Sequence, residues 1–205
     1  EVELITAASP LHDIGKLAIP EAILHKPAKL TQTEYEFIKK HADIGADLVA
    51  STEGLKHLAP FIRHHHERWD GGGYPFGLAG EAIPLEARIL NVCDSVETMA
   101  SDRPYRRSLS TQAIITEVRD CAGTQFDPLI AETFINLVIS RGDAFVVNSA
   151  RSVTQQYAAS ILASESLMNN MFSWVLENKT QRQIIVRSIP TSASQEIKTI
   201  PHHPQ

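Results

Sequence analysis

Apolar residues recur along most of this chain at helical spacing, each stripe leading to a polar residue of unusual type. From Val2 to His12, the positions Leu4, Ile5, Ala7, Ala8 and Leu11 form one helical face that delivers His12 and Asp13 at its end, and Gly15 is expected to stop the helix. Pro20 and Pro27 then punctuate a connecting segment. Thr31 followed by Glu34 is a capping-box signature for a helix in which Tyr35, Phe37 and Ile38 lead to His41, and the period continues through Ile44, Leu48 and Val49 until Gly54. Leu55 to His66 predicts another helix, with Leu58, Phe61 and Ile62 inward, running into a glycine-rich loop. Pro84 suits a first helical position, and Leu85, Ile89, Leu90, Val92, Val96 and Met99 carry a helix to about Ser101 with Asp94 in its middle. Ser110 is the expected N-cap of a helix from Thr111 to Cys121, closed by Gly123; Asp127-Pro128 opens one more, through Ile139.

No alternating run of convincing length precedes residue 143, so the fold class is all-α. Beyond Gly142 the pattern changes. Val153 to Leu176 carries a loose helical stripe, Gln183 to Ile189 fits a short strand, and Thr191 to Gln205 is polar with proline and histidine, which predicts disorder. The chain therefore divides into a domain over residues 1–142, a helical extension of unassigned role over 143–190 and a disordered tail over 191–205.

Composition narrows the class. Apolar residues at 43% and charged residues at 21% are globular proportions. A net charge of −5 gives no general attraction for nucleic acid or acidic membranes, so a phosphate-bearing ligand must be met locally. Two cysteines, Cys93 and Cys121, exclude a disulfide framework and fit a reducing, cytoplasmic compartment; Cys93, between Val92 and Val96, reads as a small buried residue. No apolar run approaches the ~18 residues of a membrane span. The chain opens on Glu1 inside a helical pattern with no initiator Met, which we read as a piece whose upstream part, with any membrane anchor, sensor or receiver domain, is missing.

The chemistry gathers around Arg63 to Pro75, RHHHERWDGGGYP, where histidines meet a loop. Adjacent histidines can meet one metal where the backbone leaves a helix, as Gly71 to Gly73 allow. Collected along the chain, His12, Asp13, His41, His65, His66 and Asp94 form a set of four imidazoles and two carboxylates without thiolate, suited to iron, manganese or zinc. That is more than one ion needs. Two ions sharing a carboxylate and a water would use the set, an arrangement that generates hydroxide near neutral pH for phosphoryl displacement. A carboxylate at Asp94, on an otherwise apolar helix, is costly unless paired or metal-bound. His64 falls outside the set because the pair nearest the loop suffices; His25 and His57 read as surface residues. Lys16, one turn from His12, and Arg103, Tyr105 and Arg106 are candidates for anion binding, the arginines reading equally as a solvated helix end.

HDIGK at His12 to Lys16, HHERWDGGGYP at His65 to Pro75, ARILNVCDSVETMASDRPYR at Ala87 to Arg106 and GTQFDP at Gly123 to Pro128 together resemble the HD-GYP family of bacterial signalling phosphodiesterases over roughly residues 1–140. The resemblance implies an HD-superfamily helical bundle that hydrolyses cyclic di-GMP to pGpG or on to GMP. It implies His12, Asp13, His41, His65, His66 and Asp94 as ligands of two divalent ions, iron or manganese before zinc, with Asp13 bridging. Lys16 matches a phosphate-contacting lysine that also assists proton transfer, Arg103 and Arg106 match substrate-side basic residues, and Gly73, Tyr74 and Pro75 are the signature loop, linked to partner proteins. Two departures stand out. The family's preceding helix, which supplies a Glu and a His to a further metal position in some members, has no counterpart in this sequence, so a third metal is not assigned; and Val96-Glu97 stands where many members have Phe-Asp. Other readings remain: another HD-superfamily nucleotide phosphohydrolase, or a non-catalytic cyclic-dinucleotide sensor or docking module. The extension after residue 142 is compatible with a homodimer.

Overall fold

The structure is a computed structural model that describes residues 2–102, 107–142 and 146. The described residues form α-helices α1 (Val2–Ala8), α2 (Glu21–Leu24), α3 (Gln32–Lys39), α4 (His41–Ala50), α5 (Ala59–His64), α6 (Leu85–Ala100), α7 (Thr111–Asp120) and α8 (Pro128–Arg141), joined in places by short 3-10 turns. No strand occurs among the described residues, where pairing is limited to isolated bridges between Asp70 and Ala79 and between Ala122 and Phe126. The fold is all-α.

Helix starts follow the sequence signals. The Thr31 hydroxyl accepts the Glu34 N–H at 3.3 Å while the Glu34 carboxylate accepts the Thr31 N–H at 2.7 Å, a reciprocal cap that stabilises a helix end by about 1 kcal/mol. Ser110 and Asp127 cap α7 and α8 through the amides of Ala113 and Leu129. Pro84 stands just outside α6, at its N-cap, rather than as its first residue. α8 runs on to Arg141 and ends at Gly142, whose φ is +77°.

The interior of the first half departs from expectation in ways that shape the site. Pro10 lacks the N–H an α-helix needs, so α1 ends at Ala8 and the chain tightens into a 3-10 turn, Ser9–Leu11; His12 and Asp13 lie between this turn and a second, Ile14–Ala18. Gly15 sits within that second turn rather than stopping a helix. The pattern expected to continue through His41 is two helices separated at Lys40, and the Leu55–His66 pattern resolves into a 3-10 turn, Lys56–Leu58, and the shorter α5.

Buried side chains form two main clusters that share α6. Leu90 packs with Ala8, Leu11, Ile14, Ala46, Leu48, Val49, Leu58 and Ile62 on one side, while Val92, Val96 and Met99 pack with residues of α7 and α8 on the other. A smaller cluster of Ile19, Ile23 and Phe37 supports α3. Arg63 ties α5 to α4 through Asp43 at 2.7 Å and Asp47 at 2.5 Å, and Arg88 ties α6 to the start of α8 through Asp127 at 2.6 Å. Cys93 is exposed, not buried as its neighbours suggested, and belongs to neither cluster. His25 and His57 are exposed, as read. None of the described helices is long and apolar enough to cross a membrane. Arg103, Tyr105 and Arg106, and the expected extension, strand and tail beyond Gly142 apart from the buried Val146, lie outside the described residues.

Candidate metal centre

Side chains from four segments meet where α4, α5 and α6 face the His12–Asp13 turn. The ligand atoms of Asp13, His41, His65 and His66 all lie within 4.8 Å of one another. His12 Nε2 stands 3.5 Å from Asp13 Oδ2 and 3.5 Å from Asp94 Oδ1, which brings the remaining two predicted residues to the edge of the same cluster. The break between the two 3-10 turns is what lets consecutive residues 12 and 13 face one side; on a continuous α-helix they would diverge by about 100°. His65 occupies the C-cap of α5 and His66 follows it. Leaving the helix brings their rings within 3.9 Å, centroid to centroid.

The imidazoles are held by the backbone. Nδ1 of His12, His41 and His65 donates to the carbonyl oxygen three residues earlier, those of Ser9, Ile38 and Ile62, at 2.6, 2.7 and 2.6 Å. With Nδ1 carrying the proton, a neutral ring presents its Nε2 lone pair to the centre. Burial keeps the His41 and His65 imidazoles below their ordinary pKa, so both are neutral near pH 7. Their Nε2 atoms face each other at 3.4 Å. Two lone pairs so placed repel unless a cation lies between them. Asp13 Oδ1, buried and accepting no hydrogen bond from the described residues, lies 3.4 Å from His41 Nε2. The donor set therefore fits a divalent cation on its own geometry.

Charge is distributed accordingly. Burial alone would raise the Asp13 pKa, but His12 and the Lys16 ammonium, 2.5 Å from Oδ2, hold it well below the usual carboxylate range. Burial likewise opposes ionisation of Asp94 and is outweighed by His12. His12 runs the other way: burial would lower its pKa, yet Asp94 and Asp13 raise it. His66 is pushed down to about 3, first by burial and then by the neighbouring His41.

The glycine-rich loop is fastened to this cluster. A Cβ on Gly73 would fall 2.3 Å from the Arg68 nitrogen and 2.6 Å from the His66 carbonyl oxygen, so only glycine fits where the loop doubles back. The Tyr74 N–H then donates to the His66 carbonyl at 3.2 Å, and the Tyr74 ring lies 4.9 Å from that of His66. Glu67, 2% exposed, accepts the amides of Phe76 at 2.8 Å and Leu78 at 3.1 Å. Asn91 of α6 donates to the carbonyls of His65 and Glu67 at 3.0 and 2.9 Å. The far side of the loop meets the GTQFDP segment, Trp69 and Asp70 donating to the carbonyls of Gln125 and Thr124 at 3.2 and 2.9 Å.

The structure thus brings His12, Asp13, Lys16, His41, His65, His66 and Asp94 together and sets Gly73, Tyr74 and Pro75 beside them, while Arg103 and Arg106 fall outside the described residues. His64 is not in the cluster; its Nδ1 lies 3.7 Å from Glu67 Oε1 and its ring packs against Phe76. Glu97 accepts the Ser101 hydroxyl at 3.1 Å near the end of α6. Glu67 and Asn91 were not singled out from sequence. The signal for Asn91 was the one used for Asp94, a polar side chain between apolar neighbours on α6; for Glu67 it was position alone, an acid between two candidate ligands and a loop rich in exposed amides.

A helical bundle with a His-Asp pair completing a buried cluster of histidines defines a metal-binding HD-type domain. Residues 2–130 match the family model described as HD domain, and the chain belongs to that family, with the sequence motifs of its HD-GYP members. The chain is 42% identical over 137 residues to the cyclic di-GMP phosphodiesterase response regulator RpfG of Xanthomonas campestris, covering 66% of this chain and 36% of that protein. It is 42% identical over 132 residues to the cyclic di-GMP phosphodiesterase PA4108 of Pseudomonas aeruginosa, covering 64% and 32%, and 37% identical over 148 residues to the 3'3'-cGAMP-specific phosphodiesterase 2 of Vibrio cholerae, covering 71% and 28%. The chain spans about a third of the length of these relatives.

Proposed function

We propose that residues 1–142 form a metal-dependent phosphodiesterase domain that hydrolyses cyclic di-GMP to pGpG, GMP or both, in bacterial second-messenger signalling. The observation that carries this reading is the convergence of six ligand-type side chains from four segments on one buried cluster, beside a loop built of GYP. His12, Asp13, His41, His65, His66 and Asp94 would hold two divalent ions, iron or manganese before zinc, with Asp13 between them. Such ions, when bound, polarise a phosphodiester and lower the pKa of an attacking water.

The chain's own residues have definable parts. The three backbone-anchored rings keep their Nε2 atoms directed at the centre without reorganisation. Lys16 fixes the Asp13 carboxylate and stands at 38% exposure, where its ammonium can meet a phosphate oxygen or pass a proton. Arg103 and Arg106 belong to the proposal as bidentate anion ligands. Tyr74 forms a wall of the site next to His66. The exposed Phe76 makes the loop beyond Tyr74 a surface for signalling partners. Control by a sensor or receiver domain belongs to the same reading and is supported by the greater length of the relatives; pairing of two copies is part of the proposal as well. So does a cytoplasmic location, where two unpaired cysteines stay reduced.

A second reading, hydrolysis of 3'3'-cyclic GMP-AMP, is favoured by the names of several relatives. Metal analysis of protein purified with and without oxygen, followed by turnover of cyclic di-GMP, cyclic GMP-AMP and nucleoside triphosphates, separates these readings from the wider superfamily. Asp13→Ala should lose both metal and hydrolysis; full activity in that variant overturns the mechanism. Tight dinucleotide binding without turnover in metal-loaded protein would favour a sensor.

A further inference from the structure

On α3, Tyr35 and Lys39 are four residues apart and so share one face, while Phe37 points the other way into the small core with Ile19 and Ile23. The Lys39 ammonium lies 5.5 Å from the centroid of the Tyr35 ring and 5.7 Å from that of Tyr74. Tyr74 in turn lies 4.9 Å from the His66 ring and 6.5 Å from that of His41. A continuous ledge of rings bridged by one cation therefore leads outward from the metal cluster to Tyr35, which is 45% exposed. Lys39 is also paired with Glu36 at 2.7 Å, but that carboxylate is half exposed, so the tether is weak and exchangeable.

Nothing in the hydrolytic chemistry uses Tyr35 or Lys39. Any cyclic dinucleotide that presents one phosphodiester to the cluster carries a base on each flanking ribose, and those bases need a surface. Aromatic side chains stack on the π-face of any base. An ammonium adds discrimination, because guanine offers O6 and N7 as paired acceptors whereas adenine sets an amino donor beside N7. Building on the cyclic-dinucleotide reading above, we propose that Tyr35 and Lys39, together with Tyr74, form a nucleobase subsite that selects guanine.

The test compares steady-state hydrolysis of cyclic di-GMP and cyclic di-AMP by the metal-loaded full chain, with bis(p-nitrophenyl) phosphate as a diester carrying no base. Lys39→Met keeps the aliphatic stem and removes the charge. It should raise KM for cyclic di-GMP and reduce the preference for cyclic di-GMP over cyclic di-AMP, in kcat/KM, about tenfold. Tyr35→Leu, at an exposed position, should raise KM for both dinucleotides while leaving their ratio within about twofold, since stacking does not distinguish purines. An unchanged guanine preference in Lys39→Met overturns the subsite, as does an equal loss on all three substrates. Wild-type protein that cleaves the artificial diester but neither dinucleotide overturns the underlying substrate reading, and the subsite with it.

Discussion

Gly15→Ala is the sharpest single perturbation of the centre, although Gly15 binds nothing. A Cβ built there stands 2.0 Å from the His41 carbonyl oxygen and 2.6 Å from the Gly45 nitrogen, both backbone atoms that no rotamer change can move. Ordinary contact begins near 3.4 Å, so the His12–Asp13 turn and α4 must separate by about 1.4 Å along that line. Overpacking of this kind costs about 1–3 kcal/mol, which for a chain of this size corresponds to a fall in Tm of roughly 2–12 °C. The chemical consequence is larger. Ligand distances in a metal site tolerate about 0.2 Å, whereas the displacement opens the 3.4 Å approach of Asp13 Oδ1 to His41 Nε2. We expect folded protein with markedly reduced metal content per chain and kcat/KM for cyclic di-GMP down about a hundredfold or more. Gly54→Ala, with nothing within 4 Å of the added atom, is the matched control and should change neither. If Gly15→Ala retains wild-type metal content and turnover, the close approach of turn and helix does not set the centre.

Two further outcomes test the supporting structure. Glu67→Gln leaves one acceptor and turns an amide donor toward the Phe76 or Leu78 N–H, so the loop should loosen by about 1–3 kcal/mol; hydrogen exchange at those two amides should accelerate while metal content stays constant, and unchanged exchange would contradict the clamp. In chelator-treated protein, stability should fall on acidification below 6.5. His41, His64, His65 and His66 are held down mainly by burial, so the unfolded chain takes up protons in acid that the folded chain refuses, over a window reaching to about 3 for His66. His12 acts oppositely, its stabilisation being complete below 6.5 and lost as pH rises through its raised folded value. Denaturant unfolding between about pH 5 and 7 reads the net slope; a flat profile would mean that His12 balances the four, and an inverted one that it outweighs them.

Local rules in the sequence determined a good deal of this protein. Helical period, the Thr31–Glu34 box and the caps at Ser110 and Asp127 are satisfied within a few residues of themselves, and the structure has them where the sequence indicates. The choice of chemistry was legible for the same reason: imidazoles and carboxylates without thiolate name a class of cation wherever they end up. Positions were another matter. Pro10 falls inside the Val2–His12 stretch expected to be one helix, yet the 3-10 turn it enforces is what aims His12 and Asp13 to one side. Gly15 reads as a helix stop, but its role depends on α4, twenty-six residues downstream in the case of His41, lying against it. Glu67 has no periodic signature at all, because its partners are backbone amides of a loop that has no fixed shape until it folds back. Residues 12 to 94 meet because two apolar clusters close on the shared helix α6. Burial is a property of the assembled core rather than of any window of sequence, and so the centre, though its components were written in order along the chain, exists only in the tertiary structure.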